Sequence, residues 1–149
     1  MMKRLVAGAA LVGLLAAVAF AQFAKPEDAI KYRQAQMVLI VHHFGTMGAV
    51  VKGEVAYDAA EFAANAASVE MLAGLPWDAF LAPGSDKGDT RLKDAAIKEP
   101  AKFMAAVDAF ETETARLVNA ADSGELDKIK PQFGAVAQTC SNCHKQYRK

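Results

Sequence analysis

Both cysteines of the chain lie in one pentapeptide close to the end of the sequence, Cys140-Ser141-Asn142-Cys143-His144. On an α-helix, residues three and four positions apart share a face, so Cys140, Cys143 and His144 can reach one flat group together. A C-x-x-C-H run is the attachment signature of c-type haem, in which two thiols bond to the porphyrin and the adjacent imidazole binds the iron. The pentapeptide therefore predicts a helix that carries one covalently bound haem c, with His144 as an axial ligand.

Three other interpretations of the pentapeptide agree less well with the rest of the chain. A thioredoxin-type redox pair belongs in an alternating pattern of strands and helices, which this sequence lacks. A structural zinc site needs four ligands, and outside the pentapeptide the chain offers only His42 and His43 and no further cysteine. A structural disulfide would leave His144 without a role.

The first 21 residues have the pattern of a secretory signal peptide. A short basic segment, Met1 to Arg4, precedes the apolar run from Leu5 to Val18, and Ala19-Phe20-Ala21 matches a small-x-small cleavage site. A membrane anchor is the alternative, but a spanning helix needs about 20 apolar residues and this run is shorter. We therefore expect cleavage after Ala21, a mature domain of residues 22–149, and export to the periplasm of a Gram-negative host.

The charge balance argues against nucleic acid or a membrane as a partner of the mature chain. The full sequence has 17 basic and 17 acidic side chains, and loss of Lys3 and Arg4 with the signal peptide leaves 15 against 17. A mildly acidic balance of this kind provides no extended positive surface for a polyanion.

Four stretches of the mature chain repeat apolar residues at helical spacing, and none alternates like a strand. Proline at a first helical position, an aspartate N-cap and glycines after the last turn supply the end signals. The expected helices are Pro26 to about Lys52, Asp58 to about Gly74, Pro100 to about Asp122, and about Glu125 to the haem motif. Short links join the first and second, and the third and fourth. We therefore predict an all-α, antiparallel up-down-up-down four-helix bundle with one covalently bound haem.

The segment between the second and third helices is a long connection, about Gly74 to Lys98, which carries Trp77 and Phe80. Connections of this length in a compact domain usually have a function or pack over something, and here we expect it to cover a haem edge.

The inner face of the first helix supplies candidates for the second side of the haem. At 100° per residue the following positions share that face: Arg33, Met37, Ile40, Val41, Phe44, Gly48 and Val51. Met37 either donates its thioether to the iron as a sixth ligand or fills core space. Arg33 either pairs with a haem carboxylate or reaches solvent. His42 and His43 point away from this face, so we expect them on the surface.

On the last helix the haem residues continue an apolar stripe that begins at Ile129 and ends at Tyr147. Arg148 follows His144 by four positions, so its side chain either covers the proximal side of the ring or is exposed.

These motifs occur together in one known family. A C-terminal C-x-x-C-H on the last of four helices, Tyr32-Arg33-Gln34 followed by Met37, Lys52-Gly53-Glu54, and Leu75-Pro76-Trp77-x-x-Phe80 in the connection resemble the class II c-type cytochromes, the cytochrome c′ family. The resemblance covers essentially the whole mature chain. One departure is Lys93-Asp94-Ala95-Ala96-Ile97, which stands where the family usually has Lys-Pro-Glu-x-Trp.

The resemblance implies a homodimer, often built through the first two helices. It also implies that Arg33 and Gln34 lie near the haem carboxylates, that Arg148 lies by the proximal pocket, and that Thr90 and Arg91 approach the haem. In the gas-binding branch of the family a bulky apolar side chain occupies the position of Met37 and shields an open iron site.

Two hypotheses of function follow. The chain is a secreted electron carrier with an unidentified redox partner, in which Met37 can close the sixth position, or it is a five-coordinate protein that binds nitric oxide or carbon monoxide while Met37 only shields the distal face. An enzyme such as a peroxidase needs a distal acid-base residue, and the Met37 face offers none, so we expect no catalytic residue.

Overall fold

Six helices form the regular secondary structure of residues 23–149, the part of the chain that this computed structural model describes. They are α1 (Pro26–Val51), α2 (Ala59–Ala73), α3 (Asp78–Leu81), α4 (Ala95–Lys98), α5 (Pro100–Asp122) and α6 (Leu126–Tyr147). Between residues 23 and 149 the only β-type pairing is an isolated bridge between Leu92 and Arg148. The all-α prediction is confirmed, whereas the predicted signal peptide lies outside the described residues.

The four long helices α1, α2, α5 and α6 are the predicted bundle. Helix α1 packs against α2 and α6, and α5 packs against the same two helices, so the four enclose one core. The local end signals act as expected: α1 begins at Pro26, and α2 is capped by Asp58, whose carboxylate accepts a hydrogen bond from the Glu61 amide at 2.8 Å. None of the described helices is both long and apolar enough to cross a bilayer.

The buried face of α1 is rotated slightly from the predicted one. Gln36 and Met47 are buried because α2 covers that side of α1, and the Gln36 amide donates to the Leu72 carbonyl at 2.9 Å. Val41, predicted to be internal, is 68% exposed. The Val41 side chain faces a cavity instead of a neighbouring helix.

The long connection between α2 and α5 holds the short helices α3 and α4 and lies against the end of the bundle that carries the haem motif. Trp77 packs against the rings of Phe80, Phe103 and Phe110, and its indole N–H donates to the Ala73 carbonyl at 2.8 Å. Farther along, the Lys93 amide donates to the Tyr147 carbonyl at 2.8 Å, so this end of the connection is tied to the end of α6.

Candidate haem site

A cavity of about 550 Å³ opens between α1 and α6, and all nine predicted site residues line it. They come from three separate segments, and their convergence depends on the whole bundle. The nine are Arg33, Gln34 and Met37 on α1, Thr90 and Arg91 in the connection, and Cys140, Cys143, His144 and Arg148 on α6 and just beyond it. The structure thus places them together, and their individual contacts with a haem remain predictions.

The haem motif lies in the last turns of α6, where Cys140 and Cys143 are half-buried free thiols. Burial raises the pKa of the Cys140 thiol, and burial together with the neighbouring Cys140 raises the pKa of Cys143 to about 11. Burial and the charge of Arg148 lower the pKa of His144. The imidazole is therefore neutral at physiological pH, and a neutral imidazole nitrogen is the form that binds a metal.

Met37 is the sulfur-bearing side chain of α1 that lines the cavity. The two histidines of the same helix do not line it. His42 is exposed, and the Nδ1 atom of His43 lies 2.9 Å from Asn65 Oδ1 on α2. Among the described residues there is also no cluster of three or more histidine, cysteine or acidic side chains suited to a metal ion. A second iron ligand from α1 would therefore have to be Met37.

Arg33 is only 3% exposed, which rules out the alternative that it reaches solvent. Its Nη1 donates to the Ala79 carbonyl and to Ser85 Oγ, both at 2.8 Å, and its Nη2 donates to the Ser85 carbonyl and to Thr90 Oγ1. Its guanidinium carbon lies 5.4 Å from the centre of the Phe80 ring. Arg33 thus fastens the connection to α1. Sequence reasoning missed this role because these acceptors give no signal in a one-dimensional pattern.

Neighbouring polar groups strengthen the same attachment. The Gln34 amide donates to the Asp89 carbonyl at 3.0 Å, although the Gln34 side chain is exposed. Thr90 Oγ1 accepts a second hydrogen bond, from the Leu92 amide at 3.1 Å. With two donors already directed at this oxygen, the Thr90 hydroxyl hydrogen is free to donate to another group.

The electrostatics of the cavity suit an anionic cofactor. Its lining residues include Arg33, Arg91 and Arg148 but no aspartate or glutamate. Burial lowers the pKa of Arg33, and the charge of Asp86 opposes that effect without a direct ion pair. A buried cation that lacks a direct counterion is costly, and the carboxylates of a haem would offset that cost.

The size and apolar lining of the cavity also fit a haem. Aromatic side chains of the connection and of α5, namely Trp77, Phe80, Phe103 and Phe110, form much of its wall. The volume of about 550 Å³ lies within the range of roughly 300–1,000 Å³ that is usual for cofactor sites. The thiol pair supplies the attachment points of a covalent haem and the neutral imidazole supplies an iron ligand, while the apolar wall and the arginines suit the ring and its carboxylates.

Comparisons with known proteins agree with this assignment. The family model described as Cytochrome C′ matches residues 28–148. A cytochrome c′ from Alcaligenes xylosoxydans xylosoxydans is 46% identical over 128 residues, which cover 86% of this chain and 98% of that protein. A cytochrome c′ from Rubrivivax gelatinosus is 40% identical over 129 residues, which cover 86% of this chain and 99% of the relative.

Solved structures give the same result. Cytochrome c prime from Shewanella frigidimarina has a TM-score of 0.82 and 40% identity, with coverage of 85% of this chain and 98% of that one. The nitric oxide complex of a mutant of cytochrome c prime from Alcaligenes xylosoxidans has a TM-score of 0.78, 44% identity and the same coverage. A carbon monoxide-bound variant of the latter protein also has a TM-score of 0.78, 44% identity and coverage of 85% of this chain and 98% of that chain.

Proposed function

Because the chain belongs to the cytochrome c′ family, which binds haem c, we propose that it is an exported monohaem electron carrier with His144 as an axial ligand. The single observation that carries this proposal is the position of Met37, whose thioether lines the same cavity as His144. When bound, the haem supplies a one-electron couple between ferrous and ferric iron. A methionine on the second side favours a low-spin site with a raised potential.

The chain's own residues attach, orient and shield the cofactor. Cys140 and Cys143 would hold it on one face of α6, with the neutral imidazole of His144 in the same turn. Trp77 and Phe80 form part of the apolar wall, which would keep water away from the cofactor. Arg33 binds the connection through hydrogen bonds, which keeps Trp77 and Phe80 in position. We propose export to the periplasm because the N-terminal residues have the pattern of a secretory signal peptide. Export also fits the need for haem attachment outside the cytoplasm.

Gas binding is the second candidate, and the solved relatives with nitric oxide and carbon monoxide favour it. In that case Met37 would shield the distal side without binding the iron, and a small ligand would bind there instead. The two functions differ in the position of one sulfur atom.

The ferric protein, studied by optical and electron paramagnetic resonance spectroscopy, distinguishes the two functions. Ligation by Met37 predicts a low-spin spectrum with a methionine-to-iron charge-transfer band that disappears in Met37→Leu. Met47→Leu is the matched control, because Met47 is on the same helix but fully buried in the core and away from the cavity. A high-spin spectrum in the unmodified protein would contradict Met37 ligation and favour the gas-binding function.

A catalytic role is not part of this proposal. Peroxidase chemistry needs a distal acid-base group, and the cavity lining contains no carboxylate and no histidine besides His144. We therefore expect peroxide turnover no faster than that of free haem.

We also propose a homodimer built through the first two helices. Three exposed apolar side chains lie there: Leu39 of α1 (48% exposed), Val55 of the following link (53%) and Met71 of α2 (69%). If these side chains meet the same helices of a second copy, they would supply the apolar contacts of a two-fold interface.

A further inference from the structure

The mouth of the haem cavity consists of the lining residues that are exposed to solvent. Gln34, Val38 and Val41 contribute from α1, Arg91 from the connection, and His144 and Arg148 from the end of α6. Two of the six are arginines and none is acidic. An exposed edge of the cofactor would be reached through this opening, so the charge around it governs which partner approaches.

Hydrogen bonds bring three further lysines next to the segments that carry Arg91 and Arg148; two of the three, Lys93 and Lys149, line a separate cavity that adjoins these segments. The Lys93 amide donates to the Tyr147 carbonyl at 2.8 Å, and Lys93 Nζ donates to the Lys145 carbonyl at 3.1 Å. The Lys149 amide donates to the Arg91 carbonyl at 2.7 Å. We name the resulting group the cationic rim; its members are Arg91, Lys93, Lys145, Arg148 and Lys149.

The carboxylates near this rim form ion pairs with lysines outside the rim, although Lys149 of the rim also acts on Asp86. Asp86 Oδ2 lies 2.7 Å from Lys87 Nζ, and Asp94 Oδ2 lies 2.7 Å from Lys98 Nζ. The third acid between residues 84 and 98 is Asp89.

The rest of the molecule has the opposite charge. Apart from the cationic rim, residues 23–149 hold ten basic side chains, whereas the same range holds seventeen acidic ones. Two haem carboxylates would reduce the local positive charge but would not reverse this polarity. At physiological ionic strength the Debye length is about 8 Å, so an approaching molecule responds to the rim more than to distant acids.

An apolar patch on α1 borders the same cavity as the arginines of the rim. Val38 and Val41 are 67% and 68% exposed, and they lie about one turn apart at the edge of the cavity. An apolar centre bordered by charged residues is the layout of a transient protein interface. A second copy of the chain would suit this face poorly, because a two-fold contact places the cationic rim against itself.

We propose that the mouth and the cationic rim form the docking face for an acidic electron-transfer protein. The rim steers the partner, and Val38 with Val41 forms the desolvated contact beside the cofactor edge. The exchange moves one electron, which a reduced partner loses and the ferric iron gains. This inference rests on the proposed function as an electron carrier and names the chemistry of the partner.

Oxidation of the ferrous haem-loaded protein by ferricyanide, followed by stopped flow at about 0.1 M ionic strength, tests the charge of the mouth. The double variant Lys93→Glu/Lys145→Glu should slow the reaction about fivefold or more, because a trivalent anion then meets acids in place of lysines. A trivalent cationic cobalt complex, used as the alternative oxidant, should react faster with the same variant. Lys130→Glu, an exposed lysine of α6 outside the rim, should change either rate less than about twofold.

An acidic polypeptide tests the class of partner. Poly-L-glutamate should bind the haem-loaded protein at low salt and should bind the Lys93→Glu/Lys145→Glu double variant at least tenfold more weakly. Equal effects of Lys130→Glu and of the rim variant on the ferricyanide rate would overturn the proposal. Binding to phosphatidylglycerol vesicles without binding to poly-L-glutamate would overturn it as well, in favour of a membrane. Conversion of a dimer to a monomer by Val38→Ser would identify the patch as a contact between copies.

Failure of this inference is distinguishable from failure of the proposed function. A high-spin ferric spectrum that Met37→Leu leaves unchanged removes the carrier function, whatever the charge dependence of ferricyanide oxidation. If the protein is low-spin and reversibly reduced but its reaction with ferricyanide does not depend on the charge of the rim, the electron-carrier function stands and only the docking face is wrong.

Discussion

The Nη2 atom of Arg33 lies 2.6 Å from Thr90 Oγ1, in a hydrogen bond between residues 57 positions apart. Thr90 Oγ1 also accepts from the Leu92 amide, and Leu92 forms the bridge to Arg148, four residues after His144. One buried guanidinium on α1 is therefore connected, through a short stretch of the connection, to the segment that follows the haem motif. The two walls of the cavity are joined by this path as well as by helix packing.

Replacement of Arg33 should loosen this path and destabilise the protein. In Arg33→Gln the acceptors at Ala79, Ser85 and Thr90 lose their charged donor, and hydrogen bonds to charged groups contribute roughly 1.5–3 kcal/mol each. We expect the free energy of unfolding of the haem-loaded protein, measured in urea, to fall by about 3 kcal/mol.

Two further variants show whether the guanidinium geometry matters. Arg33→Lys keeps the charge but lacks the planar fork, so it should recover less than half of the loss. Arg116→Gln removes an exposed arginine that pairs with Glu113 at 2.6 Å, and it should cost less than about 1 kcal/mol. Equal losses in Arg33→Gln and Arg116→Gln would contradict a special role for Arg33.

The helix boundaries could be predicted because they depend on residues close in sequence. Pro26 and Pro100 start α1 and α5, and Asp58 caps α2, as their local preferences require. The haem motif is equally local, since its spacing matches one helix face. For segments with such local signals, the structure could therefore be predicted without knowledge of the tertiary fold.

The partners of Arg33 and the orientation of α1 could not be predicted in the same way. Helical periodicity identifies a stripe, but it does not show whether another helix or a cavity faces each edge. Met47 is therefore buried under α2, while Val41 borders the cavity and stays exposed. The acceptors of Arg33 are 46 to 57 positions away, in a connection whose path depends on Trp77 and on the end of α6.

Acid should weaken the connection through Asp86. Its side chain is 9% exposed, and its Oδ2 atom lies 2.7 Å from Lys87 Nζ. The hydrogen bond from Lys87 holds the pKa of Asp86 below its ordinary value, and the charge of Lys149 acts in the same direction. Because the folded-state pKa is lowered, the stabilisation is complete above the ordinary value near 3.8 and is lost as pH falls through the lowered pKa.

Urea unfolding of the haem-loaded protein at several pH values checks this effect. Asp86→Asn should be less stable than the unmodified protein by a constant amount between pH 7 and about pH 5, and the difference should shrink below about pH 4. Lys87→Gln should show the same trend, and the double variant should lose little more than either single one. A difference that grows on acidification would contradict the ion pair as its source.

Trp77 should report on the cavity because it is the only tryptophan of the chain and lines the cavity wall. Energy transfer to a nearby haem should quench its fluorescence in the native protein, and unfolding in urea should restore it. Trp77→Phe removes the hydrogen bond to the Ala73 carbonyl and part of the aromatic contact, so it should lower the free energy of unfolding by about 1–2 kcal/mol. Strong native fluorescence in the haem-loaded protein would place the haem away from this wall.

A charged side chain on α2 should break the proposed homodimer. Met71 is 69% exposed on α2, and in a two-fold interface every substitution occurs twice, so Met71→Lys introduces two buried or repelling cations. Sedimentation velocity at micromolar concentration should show the dissociation constant rising at least tenfold, which corresponds to about 1.4 kcal/mol. Val41→Lys is the matched control, because Val41 is equally apolar and 68% exposed but lies on the cavity side of α1. The dimer should persist in that variant, whereas loss of the dimer in Val41→Lys and not in Met71→Lys would move the interface to the mouth of the cavity.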